Sequence, residues 1–101
     1  MGIDAQLRRE TGEIIVAIDD HAMALSRATG GALAATRLLK YLVPWGDAIF
    51  NQAQAEDLRF DIRDVIAANP GSPLSAHLAE VEALVDKLAS ETHVYLWFVG
   101  D

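Results

Sequence analysis

Apolar positions along the chain recur mostly at intervals of four and three. Between residues 73 and 99 they fall at Leu74, Leu78, Val81, Val85, Leu88, Tyr95 and Val99, with Thr92 in the one gap. That spacing predicts a helix with a narrow core-facing seam. Ser72 and Pro73 suit its start: a serine oxygen can accept a free backbone N–H, and proline has no N–H to leave unpaired. The run Val94–Val99 is rich in strand formers, but a strand there needs a partner. On this reading only a second copy of the chain supplies one, so the helix is expected to continue to about Val99.

The same spacing runs through Leu7, Thr11, Ile14, Ile18, Ala22 and Leu25. It predicts a first helix over residues 4–29, capped by Asp4 and ended by Gly30-Gly31. Gly12 inside it costs about 1 kcal/mol against alanine. A short second helix is expected over 32–43, with Leu38, Leu39 and Leu42 as its ridge and Pro44 as its stop. One long helix through Gly30-Gly31 is the alternative. Asp47 then caps a third helix over 48–68, with Leu58, Ile62, Val65 and Ile66 facing the core and Asn69-Pro70-Gly71 closing it. Phe60 lies about 160° around that helix from Ile62, so it is expected against another chain or against the turn at Trp45. Together these elements imply an all-α fold, an antiparallel four-helix bundle with a short second helix. Residues 1–101 make one helical domain.

Composition narrows the function more than the fold. The formal net charge is −7, and it is uneven: −3 over residues 1–20, +3 over 21–46 and −7 over 47–101. Nucleic-acid binding rests on Lys and Arg displacing counterions, so no nucleic-acid partner is expected. No apolar run is long enough for a membrane helix, and nothing resembles a signal peptide. The expectation is a cytoplasmic protein with no membrane partner. With no cysteine, disulfides and thiolate metal sites are excluded.

Candidate chemistry is sparse. Asp19-Asp20-His21, with Glu13 two turns earlier, is the densest polar cluster, and on a helix Glu13 and Asp20 share a face. His77-x-x-Glu80 reverses the order used in paired di-metal helices and stands alone. Asp61 and Asp64, beside Arg59 and Arg63, read as surface ion pairing. The spacing of Ser26 and Gly31-Ala32 after His21 is similar to that of histidine phosphotransfer domains. Ala24 and Leu25 stand where that family has lysine and glycine, so phosphotransfer is not implied. No nucleophile–base pattern or phosphate loop is present. The expectation is therefore no catalytic residues, no cofactor and no metal.

The function that fits is a small, acidic, non-catalytic helical module for protein–protein interaction, of a regulatory, adaptor, inhibitor or immunity type. The alternative is a bundle that holds a small apolar ligand or a metal between its helices, which turns on whether Trp45, Trp97, Phe50 and Phe60 line a cavity. A helix from Pro73 to Val99 would extend about 40 Å, longer than the roughly 33 Å diameter of such a domain. Its end should overhang, leaving an apolar patch that soluble monomers rarely keep. A homodimer is expected, with Phe60, Tyr95, Trp97, Phe98 and Val99 at interfaces and a further protein partner of unspecified identity.

Overall fold

The computed structural model describes residues 2–100. It is a mixed α/β fold and not the expected all-α bundle. The elements are β1 (Asp4–Arg9), β2 (Ile14–Ile18), α1 (Ala24–Ala28), β3 (Asp47–Phe50), α2 (Ala55–Ala68), α3 (Pro73–Ser90) and β4 (Val94–Val99). The strands form one sheet in the order β2-β1-β4-β3, with every neighbouring pair antiparallel. Helices α2 and α3 pack along each other, and α3 lies against the sheet. No helix among the described residues is long and apolar enough to cross a membrane.

The expected helix over 4–29 is a hairpin followed by a short helix. Ile3, Ala5 and Leu7 are buried and alternate with Asp4, Gln6 and Arg8, the period of two that a half-buried strand shows. Ile14-Ile15-Val16 are β-branched and lose side-chain freedom in a helix. Gly12 closes the turn between them: its N–H donates to the Arg9 carbonyl at 2.8 Å, and its φ is +94°. The residue that costs stability in a helix is thus the one the turn requires.

Residues 32–43 form turns with one 3₁₀ segment at Leu39–Tyr41, not a helix. Leu33, Leu39 and Leu42 are buried there. The N–H groups of Arg37, Leu38 and Leu39 donate to the Asp61 carboxylate at 2.9, 2.7 and 3.2 Å. They are thereby withdrawn from any helical ladder. The third helix starts later than expected, because Asp47–Phe50 is a strand. The chain enters α2 through Asn51, whose N–H donates to the Gln54 side chain at 2.9 Å.

Helix α3 begins as the sequence predicts. The Ser72 hydroxyl accepts the Ser75 N–H at 3.0 Å, and Pro73 opens the first turn. It ends at Ser90 and does not reach Val99. The chain reverses through His93, at φ +59°, and β4 then pairs with β1 on one side and β3 on the other. Both partner strands lie in segments expected to be helical, so the sequence expectation leaves residues 94–99 without a partner. A single core joins Leu58, Ile62 and Val65 of α2 and Leu78, Val81, Val85 and Leu88 of α3 to Leu7, Phe50, Leu96 and Phe98 of the sheet.

Candidate functional site

Strand alternation sorts the expected interface residues. On β4, Val94, Leu96 and Phe98 are buried while Tyr95, Trp97 and Val99 are only partly covered. Phe98 is therefore a core residue: it meets Phe50 edge to face at 5.9 Å and is not available to a partner. Tyr95, Trp97 and Val99 lie on the opposite face of the sheet from the core. Register places three rows across that face. Arg8 stands opposite Tyr95, Gln6 and Ile49 flank Trp97, and Asp4 and Asp47 flank Val99. The Arg8 guanidinium sits 4.1 Å from the Trp97 ring centroid and donates to the Gln6 side-chain oxygen Oε1 at 2.6 and 2.9 Å.

Phe60 lies on the outer side of α2, 51% exposed, with the Arg37 guanidinium 4.0 Å above its ring. It is not enclosed by the Trp45 turn, where Trp45 itself is 76% exposed. Trp45, Trp97, Phe50 and Phe60 thus occupy four different surroundings and line no common cavity. Arg59 and Arg63 reach across to Asp86 and Glu82 of α3 at 2.7 and 2.8 Å. Asp61 is not part of that surface pairing; it is buried and anchors the loop described above.

The polar group at Glu13, Asp20 and His21 does not share a helix face, because no helix is there. Glu13 sits at the hairpin end, 3.3 Å from Arg9. The Asp20 side chain is buried and organises the turn after β2. Its oxygens accept the N–H groups of Ile3 at 2.9 Å, Leu25 at 2.9 Å and Ser26 at 3.0 Å. Its own N–H donates to the Asp4 carboxylate at 3.0 Å.

That turn carries His21 to α3. Ala22 and Met23 there have φ of +54° and +57°, left-handed geometry that costs a residue with a Cβ about 1–2 kcal/mol. On α3, His77 and Glu80 are three residues apart and share a face. The rings of His21 and His77 meet edge to face at 5.4 Å. His21 Nε2 lies 3.4 Å and His77 Nδ1 3.7 Å from one Glu80 carboxylate oxygen. His77 Nε2 lies 3.7 Å from Asp20 Oδ1. The His77 side chain is 1% exposed, and neither ring nitrogen has a hydrogen-bond partner among the described residues. Burial holds its pKa below the usual histidine value. The Asp20 carboxylate opposes that shift, His21 adds to it, and Glu80 opposes it. The three side chains border a cleft of about 410 Å³, completed by Ala22, Pro73 and Ala76.

Sequence spacing finds His77-x-x-Glu80 but not its third member, which the fold brings from 56 residues away in the chain. The one sequence signal for it is His21 itself, set beside a pair of aspartates. No family model, no curated protein and no solved structure matches this chain.

Proposed function

We propose that the protein is a non-catalytic protein-binding module that associates with a second copy of itself through the open face of its sheet. The observation that carries this reading is the three-row pattern on that face. A centre of Trp97 and Ile49, with Gln6 in the same row and the Arg8 guanidinium over Trp97, is flanked at one end of the strands by the Arg8 row and at the other by Asp4 and Asp47. A two-fold axis running across the strands lays the Arg8 end of one copy over the Asp4 and Asp47 end of the other. It also brings the two centres together, the self-complementarity an isologous interface needs. Sheets stack face to face in this way at about 10 Å. Elsewhere the strong negative charge opposes self-association, which favours this nearly balanced face.

Sedimentation at tens of micromolar, where a dimer of ordinary affinity forms, tests the reading. The native chain should be dimeric, Trp97→Asp monomeric, and Arg8→Glu weaker by tenfold or more. Arg8→Glu combined with Asp47→Arg should recover association. A native chain that stays monomeric refutes the reading. So does a dimer indifferent to Trp97→Asp.

A further inference from the structure

We propose that His21, His77 and Glu80 form a binding site for a divalent transition-metal ion, with zinc the best fit, and that Asp20 orients His77 from the far side of its ring. The reasoning starts with the protons of His77. A neutral imidazole carries one N–H, yet both nitrogens of this buried ring face a carboxylate oxygen at 3.7 Å. Asp20 is fixed by three backbone N–H groups, so with an ion at Nδ1 the single proton would sit on Nε2, directed at Asp20. The Nδ1 lone pair then points at the Glu80 carboxylate, where His21 Nε2 also converges. Glu80 thus faces two imidazole nitrogens at 3.4 and 3.7 Å, a set of donors that a bound cation would join.

Size fits as well as charge. One donor atom from each of the three residues lies within 4.8 Å of the other two. Zinc bonds of 2.0–2.1 Å at tetrahedral angles set ligand atoms about 3.3 Å apart. The separations of 3.4 and 3.7 Å to Glu80 are near that value, while the two histidine nitrogens, held within 4.8 Å, would close by up to about 1.5 Å to reach it. His21 and Glu80 can supply this movement, being 65% and 54% exposed, while His77 stays fixed by packing. A carboxylate behind a ligating histidine fixes its tautomer and raises its basicity, which is the place of Asp20. Two imidazoles and one carboxylate suit zinc better than magnesium or calcium, which prefer oxygen donors alone. Three protein ligands leave a fourth position toward the cleft, open to water or to an anionic group. This site is independent of how the chain associates.

The test is calorimetric titration of the full chain, without a polyhistidine tag, with zinc chloride at about pH 7.5, where free imidazoles are neutral. One ion per chain should bind at about micromolar affinity or tighter. His21→Ala and Glu80→Gln each remove an exposed ligand and should weaken binding at least tenfold. His93→Ala removes a histidine outside the site and should leave binding unchanged. Imidazole NMR reads His77 without mutating the core: its resonances should shift with zinc in the native chain and not in His21→Ala at the same zinc concentration. Affinity should fall as pH drops below about 6.5, as the ligands take up protons. Absence of binding at about a hundredfold above micromolar zinc overturns the proposal. So does equal affinity in His21→Ala and His93→Ala, or a His77 ring that carries two protons at this pH and ignores zinc.

Discussion

Asp61→Ala gives the most direct test of how the middle of this chain is held. Asp61 is 1% exposed, and its two oxygens take three backbone N–H groups from residues 37–39 at 2.7–3.2 Å. Its removal strands three donors next to the core. A buried donor left without a partner costs about 1–3 kcal/mol. The upper end for all three would rival the whole stability of a domain, about 5–15 kcal/mol. Water entering the vacated space lowers the sum, so the expected loss is about 3–5 kcal/mol. At about 4–8 °C per kcal/mol for a chain of this size, the melting temperature should fall by at least about 12 °C. Asp61→Asn should lose less, since its one oxygen can keep the Leu38 and Leu39 N–H groups while its NH₂ meets the Arg37 N–H. Asp64→Ala, an exposed aspartate on the same helix, should stay within about 0.5 kcal/mol. Urea unfolding followed by circular dichroism reads all three, with the slope against urea as a check that the unfolded state is unaltered. If Asp61→Ala lies within about 0.5 kcal/mol of the native chain, the anchor argument is wrong.

Three further outcomes follow from geometry. In metal-free protein, the lowered pKa of buried His77 means that the unfolded state binds its proton first. Its contribution is complete above about 6.5, the unfolded value, and is lost as pH falls below it toward the folded value; stability measured from pH 7 downward should therefore decline, and His77→Gln should flatten that slope. Gly100→Ala places a Cβ 2.5 Å from the Gly46 carbonyl oxygen and 2.6 Å from that of Val43; thermal melts should show a loss of about 1–3 kcal/mol, the usual range for overpacking. Ala22→Gly relieves a left-handed alanine and should raise stability by about 0.5–1 kcal/mol, so a loss there would mean the turn is not strained.

Part of this fold can be read from residues alone. The start of α3 depends on Ser72 and Pro73, a local signal, and its seam through Leu88 is a long periodic run. The stripe of Leu58, Ile62 and Val65 likewise identifies α2. The hairpin is ambiguous because Leu7, Ile14 and Ile18 satisfy a helical spacing while Ile3, Ala5 and Leu7 satisfy a strand spacing. The β-branched run at 14–16 and the glycine at 12 decide between them, and both favour the strand. With residues 4–29 taken as a helix, β4 has no partner strand, and a helix over 94–99 is the expectation that follows. One early error thus carries into the last element. The candidate metal site could not be read in the same way. His77 and Glu80 are neighbours on a helix, but His21 comes from the turn that Asp20 organises, 56 residues earlier, and only the packing of that turn on α3 joins the three. Asp61 shows the same limit: its sequence surroundings are those of a surface residue, and only the loop folded over it makes it buried.

The position of β4 bears on how this molecule is made. It is synthesised after the other three strands of this sheet, yet it lies between β1 and β3. Until residues 94–99 leave the ribosome, the β1–β2 hairpin and β3 have no strand to join them, and each keeps a bare edge of backbone donors and acceptors. Helices α2 and α3 can pair earlier, since their contacts are close in sequence, but the sheet they rest on is then in two pieces. Sheet closure becomes a late step that depends on contacts between residues far apart in the chain, the kind that slows folding. A stalled or truncated nascent chain would expose two strand edges and the apolar underside of two helices, the surfaces that invite aggregation or chaperone capture.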